Sequence, residues 1–196
     1  MERVRYRAMP ECSLGDEKVA LPNPGPAPSV KIDSPAIEVM TDLRHVPAAT
    51  IAPDVSLEQA HQAMIHHGVR LLLVCGQERQ LVGVISASDL LGERPMQVAI
   101  ERHSRREELR VEDVMTPLKD IVAVSVSDLL SAEVGHVIET LLRAGRQHVL
   151  VIEHDARKQA MVRGVISASQ VARQLGLPVQ PEAIARTFAE IQMALN

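Results

Sequence analysis

Apolar positions fall into a helical rhythm and then a strand rhythm along this chain, and the pair of rhythms occurs twice. Leu57, Ala60, Met64 and His67 recur at spacings of three and four, which predicts a helix with one inward face. Ser56 precedes this run and Gln59 follows three residues later, a capping box that fixes the helix start. Gly68 stops it, as a C-terminal cap. Two apolar runs follow, VRLLLVC and LVGVIS, divided by the polar GQERQ. They read as a hairpin with a buried second strand. A short helix, ASDLLG, closes the set. Further on, Val134, Val137, Ile138 and Leu141 predict a second helix ending at Gly145. QHVLVIE, the turn HDARKQ, MVRGVIS and the short helix ASQVARQLG repeat what came before.

Each cycle is preceded by VMT, at residues 39–41 and 114–116, and by a short β-rich piece, AATIA or DIVAVSV. The order is therefore β-α-β-β-α, twice. The second copy is longer by a few loop residues, an inexpensive change. One cycle of ~50 residues would bury little core alone. Two packed sheet to sheet would, which predicts an α/β fold with pseudo-twofold symmetry and clefts where the copies meet. The divisions expected are an extended Pro-rich arm over 1–33, a first motif over 34–92, a charged inter-repeat helix over 93–110, a second motif over 111–176 and an amphipathic helix over 177–196. The arm holds Pro22, Pro24, Pro26 and Pro28, too many for helix or central strand. Order is expected to begin with Ser34 as an N-cap and Pro35 at the first helical position. Pro95 is expected to start the inter-repeat helix, with Met96, Ala99 and Ile100 on its apolar face. Its other face mixes arginine with glutamate and reads as solvated or as a docking face. Ile184, Phe188 and Ile191 mark the apolar side of the final helix.

Composition narrows the function. Apolar residues make up 46% of the 196 and charged ones 23%, ordinary for a globular protein. No stretch approaches the ~18 apolar residues of a membrane span, and the charged first residues do not resemble a signal peptide, so a cytoplasmic protein is expected. Cys12 and Cys75 make no disulfide framework. The net charge of -4 argues against nucleic-acid binding. So do the aromatics: Tyr6 and Phe188 stand alone, whereas single-strand binders stack bases on aromatic platforms. Any base bound here lies between aliphatic side chains. His61, His66 and His67 lack the spacing of a zinc helix, and no metal site is expected. Neither a nucleophile elbow nor a phosphate-binding glycine loop is present, so no catalytic residue is assigned.

The ordered set of VMT, Gly68-Val69-Arg70 leading into a strand, and the closing GVISASD, repeated at GVISASQ, resembles the CBS domain, named for cystathionine β-synthase. Two in tandem resemble a CBS pair, over about residues 35–176. The resemblance implies a regulatory module rather than an enzyme. Such pairs bind adenosine-containing ligands in clefts between the repeats, here AMP first, then ATP or ADP, or S-adenosylmethionine, with no obligatory cofactor. They often form homodimers and act on a regulated partner, which the sequence does not name.

Carried over residue by residue, the resemblance places Ser86 and Asp89 on the ribose hydroxyls, with Ser88 beside them. In the second copy Ser167, Ser169 and Gln170 take these places. The backbone before each first helix would hold adenine: Thr50, Ile51 and Ala52 in one copy, Ile121, Val122 and Ala123 in the other. Arg70 and His148 would face phosphate, or else be a surface charge and a half-buried imidazole. The residues alone also allow another reading, since Ser86 with Asp89, and Ser167 with Gln170, are helix caps by spacing. Gln170 lacks the charge of Asp89, so the first copy's cleft is expected to be the better nucleotide site and the second weaker or empty. Three functions stand at this point: a nucleotide sensor, a structural dimerisation module with empty clefts, and an enzyme of unrecognised chemistry.

Overall fold

A computed structural model of the chain describes residues 29–177 and Ala20. Most of the proline-rich arm and of the helix expected over 177–196, with Ile184, Phe188 and Ile191, lies outside the described residues. The first repeat contains β1 (Thr41–Asp42), β2 (Thr50–Ile51), α1 (Leu57–His67), β3 (Leu71–Cys75), β4 (Leu81–Ser86) and α2 (Ala87–Leu91). The connection carries α3 (Arg94–Glu101) and α4 (Val111–Val114). The second repeat has β5 (Thr116–Pro117), β6 (Ala123–Ser125), α5 (Val126–Leu130), α6 (Val134–Ala144), β7 (His148–His154), β8 (Ala160–Ser167) and α7 (Ala168–Gln174). The α/β class and the paired β-α-β-β-α motifs are those expected; α5 is an addition confined to the longer second copy.

The helices form where their caps and spacing place them. Ser56 Oγ accepts from the Gln59 amide at 3.2 Å, and Gln59 Oε1 accepts from the Ser56 amide at 3.1 Å. Gly68 (φ 63°) and Gly145 (φ 58°) end α1 and α6 in the left-handed region, which glycine enters without a Cβ penalty. Leu57, Ala60 and Met64 are buried, as are Val134, Val137, Ile138 and Leu141. His67, expected on the inward face of α1, is exposed, because the helix ends there and its last turn leaves the core.

The sheets exchange strands between repeats. One runs β2-β3-β4-β5 and the other β1-β8-β7-β6. β2 pairs parallel with β3 and β6 with β7, and each hairpin is antiparallel. One of the two edge strands of each sheet comes from the other repeat: Thr41 and Asp42 lie against Val165 and Gly164, and Thr116 and Pro117 against Val84 and Gly83. Each GVIS strand is therefore zipped to the VMT segment of its counterpart. The cores follow suit. Val30, Ala36, Val39 and Met40 are buried with α6, β7 and α7, while Ala99, Leu109, Val111 and Val114 are buried with α1, β3 and β4. Backbone bonds repeat the pattern: Gly135 N donates to Ile32 O, and Glu112 N to Pro53 O, each at 2.9 Å.

An ion pair fastens one exchange. Arg163 on β8 grips Asp42 on β1 in a two-pronged bond of 3.0 and 2.6 Å. The guanidinium holds the Asp42 carboxyl well below the usual carboxylate range, the expected effect of charge-assisted hydrogen bonds.

Two local expectations are corrected. Ser34 caps no α-helix; its Oγ accepts from the Lys31 amide at 2.9 Å and closes a turn. A single 3-10 turn, Ala36–Val39, follows with Pro35 as its cap residue, since Pro35 is bridged to Glu133 in extended geometry. On α3 the buried residues are Pro95 and Ala99. Met96 and Ile100 remain 56% and 66% exposed, because α3 meets α2 and α4 with the opposite flank.

Candidate functional site

The repeat places equivalent groups at the seam between the sheets. Ala87 N donates to Arg70 O, and Ala168 N to Gln147 O, both at 2.9 Å. Leu71 lies opposite Ser86 and His148 opposite Ser167. Leu73 N donates to Ala49 O at 2.9 Å, as Leu150 N does to Val122 O at 3.1 Å. The counterparts are thus Arg70 with Gln147, Leu71 with His148, and Ala49 with Val122. Two clefts open there, and Leu71 and His148 line both.

The first cleft, about 610 Å³, joins the end of β4 and start of α2 to the segment before β6. Ser86, Ser88 and Asp89 face Asp120, Ile121 and Val122 of the other repeat, with Arg146 and Gln147 at one side. Asp89 does close a capping box: its Oδ2 accepts from Ser86 N at 2.8 Å and from Ser86 Oγ at 2.6 Å. The cap and the cleft are compatible. Oδ1 accepts no hydrogen bond among the described residues and lies 3.6 Å from the Arg94 guanidinium. Ser88 Oγ donates across the seam to Gln147 Oε1 at 3.1 Å.

The second cleft, about 1140 Å³, joins the end of β8 and start of α7 to residues 46–49 and to Arg70. Ser167, Ser169, Gln170 and Arg173 line it. Ser167 Oγ accepts from Gln170 N at 3.2 Å, so this helix is capped as well. The Gln170 amide does not fold back as Asp89 does. Its Oε1 accepts from Thr41 Oγ1 at 3.2 Å, tying the exchanged strand β1 to α7.

His148 stands between the clefts. Burial pushes its imidazole down to about 4, the Arg70 charge adds to that, and Asp89 opposes it. The ring is therefore neutral near pH 7.

Ser86, Ser88, Asp89, Val122 and His148 come together in the first cleft, and Arg70, His148, Ser167, Ser169 and Gln170 in the second. Thr50, Ile51 and Ala52 line neither. Ile51 packs on the first core, and the hydrogen-bond register makes Ala49 the mate of Val122, so the equivalent backbone lies at Ala48 and Ala49, two residues earlier. Each cleft also draws on both repeats, which pairs Asp89 with Val122 rather than with Thr50. Arg70 and His148 are not counterparts either. Thr116, Asp120, Arg146, Gln147 and Arg173 are cleft residues that sequence reasoning missed. Aligning the copies through Gly68 and Gly145 would have found Arg146 and Gln147; Asp120 carries no pattern.

No group of three histidine, cysteine, aspartate or glutamate side chains is placed to hold a metal among the described residues, and no described helix is long and apolar enough to cross a membrane. The CBS domain family model matches residues 26–95. No curated protein matches the chain. Among solved structures, an uncharacterized conserved protein from Pyrococcus horikoshii is 17% identical over 77% of this chain and 98% of its own, with a TM-score of 0.54. A CBS-domain containing protein from Agrobacterium tumefaciens is 19% identical over 67% of this chain and 88% of its own, with a TM-score of 0.50. CBSX2 from Arabidopsis thaliana, in complex with AMP, is 21% identical over 82% and 98%, with a TM-score of 0.49.

Proposed function

We propose that this chain is a tandem pair of CBS domains that binds an adenosine-containing ligand between its repeats and passes its occupancy to another protein; the family model over residues 26–95 and the repeated fold support this. AMP is the first candidate, then ATP or ADP, and S-adenosylmethionine. The observation that carries the reading is Asp89. Its capping bonds to Ser86 fix the carboxylate at the wall of a cleft, and Oδ1 accepts no hydrogen bond among the described residues. A fixed carboxylate oxygen can accept from a vicinal diol such as ribose, and a hydrogen bond to a charged group contributes roughly 1.5–3 kcal/mol. Opposite it, Leu71, Val84, Ile121 and Val122 offer an aliphatic slot for a flat base.

A ligand alters such a module only through differential affinity for two shapes. The rest of the proposal is a cytoplasmic homodimer acting on a partner yet to be identified. Apolar side chains left exposed on three adjacent helices, Ile65, Leu91, Met96 and Ile100, support the dimer.

Calorimetric titration with adenosine and S-adenosylmethionine tests the site. Asp89→Asn keeps an acceptor for the Ser86 cap but removes the charge, and is expected to weaken binding about tenfold, the equivalent of ~1.4 kcal/mol. Asp89→Ala is expected to weaken it further. Affinity equal to wild type in both variants would remove Asp89 from the site.

A further inference from the structure

The two clefts occupy corresponding places in the repeat and differ in their electrostatics. The larger one is lined by Arg70 and Arg173, and no carboxylate is among its lining residues. Both arginines are exposed, and neither forms an ion pair among the described residues. The smaller cleft is lined by Asp89 and Asp120 against the single arginine Arg146. Arg94, behind Asp89, gives one nitrogen to Met115 O at 2.9 Å and sets another 3.6 Å from Asp89. Arg94 and Asp89 thus offset each other, and with Asp120 against Arg146 the smaller cleft carries no excess of positive charge.

At the seventh position after GVISAS the substitution acts in the same sense. Asp89 puts a negative charge at the smaller cleft. Gln170 puts none at the larger one and spends its amide oxygen on Thr41. The hydroxyls of Ser167 and Ser169 and the guanidinium forks of Arg70 and Arg173, unpaired among the described residues, remain to meet a ligand there. Guanidinium planes match phosphate oxygens in pairs, and this cleft is the roomier of the two.

We infer that the clefts divide ligands by charge: the Gln170 cleft is the phosphate site, taking a phosphorylated ligand through Arg70 and Arg173, and the Asp89 cleft takes a nucleoside without a phosphate chain. This rests on the adenosine-ligand reading for the identity of the base, but the phosphate assignment stands on the arginines alone. It reverses the expectation that loss of the Asp89 charge in the second copy leaves a weaker or empty site. Gln170 removes a repulsion rather than a clamp.

Three probes separate these statements: tripolyphosphate, which has no base; adenosine, which has no phosphate; and ATP. Tripolyphosphate and ATP are expected to bind wild type. The double variant Arg70→Gln with Arg173→Gln is expected to bind each about 50-fold more weakly, at low salt where exposed charges act most strongly, with adenosine affinity unchanged. Arg146→Gln is expected to leave tripolyphosphate binding as it was. Because all three arginines are exposed, their removal leaves both cores intact, which circular dichroism verifies. Undiminished tripolyphosphate binding in the double variant, its loss in Arg146→Gln, or no binding to wild type would each overturn the inference. Tripolyphosphate binding that needs Arg70 and Arg173, with no affinity for adenosine, would keep the phosphate site and reject the adenosine reading. Adenosine binding that weakens in Asp89→Asn, with no tripolyphosphate binding, would do the reverse.

Discussion

Replacing Gly164 by valine is expected to lower the unfolding free energy by about 3 kcal/mol and the midpoint of thermal unfolding by roughly 6–12 °C for a chain of this size. The cause is the strand exchange. A Cβ on Gly164 would stand 2.5 Å from Met40 Sδ and 2.8 Å from the carbonyl oxygen of Thr41. The methionine can swing aside. The carbonyl belongs to β1, which is laddered to β8 and fastened by Arg163 and Asp42, so relief means moving the strand. Gly83 is the mirror case, with a Cβ 2.7 Å from Met115 Sδ and 2.7 Å from Thr116 O, and Gly83→Val is expected to cost as much. If either variant unfolds within 1 °C of wild type, the exchanged strands do not sit as described. The same crowding explains why both copies of GVISAS begin with glycine.

Stability is expected to fall as pH drops from about 6.5 to about 4, and most of that fall belongs to one side chain. The His148 pKa is lowered from 6.5 to about 4, first by burial and then by Arg70, against Asp89. In the unfolded chain the imidazole takes its proton near pH 6.5; in the folded protein it waits until about 4. Between these values the unfolded state binds more protons, so folding loses free energy as pH falls. The loss approaches about 3 kcal/mol when the whole window is crossed, at 1.36 kcal/mol per pKa unit. Above pH 6.5 His148 contributes no slope. Asp42 acts in a separate window: its depressed pKa gives stability that is full above the unfolded carboxylate value and is lost only below it. His148→Leu copies Leu71, its counterpart across the seam, and is expected to flatten urea-denaturation free energies between pH 6.5 and 4.5. A His148→Leu protein with the wild-type slope would place the sensitivity elsewhere.

Much of this fold can be read from the sequence because its information is local. Capped helices with apolar faces, and two hairpins punctuated by polar turns, declare themselves within a few residues, and the repeat supplies the pairing of sheets. The exchange of β1 and β5 cannot be read that way. Each is two residues long, too short to show an alternation, and their partners lie far along the chain. The same limit explains the errors at the site. Ser86, Asp89 and Gln170 are legible because a cap and a repeated motif mark them, and the structure sets all three at cleft walls. The opposing wall is chosen by tertiary packing, so Asp120 leaves no trace. Thr50–Ala52 resembled Ile121–Ala123 in composition, yet a register two residues away decides which backbone faces the cleft. Met96 and Ile100 obey helical spacing but find no partner surface among the described residues.

The direct test of the central claim is thermal unfolding of the wild-type protein with adenosine, AMP, ADP, ATP and S-adenosylmethionine, each at saturation. A ligand held only by the folded state, at 100 times its dissociation constant, adds about 2.7 kcal/mol, a rise of roughly 5–11 °C. That rise is expected with at least one of the five, with its reduction in Asp89→Asn or in the Arg70→Gln, Arg173→Gln variant. An unchanged midpoint with all five would contradict the adenosine reading, leaving a pair of repeats whose clefts hold no adenosine compound.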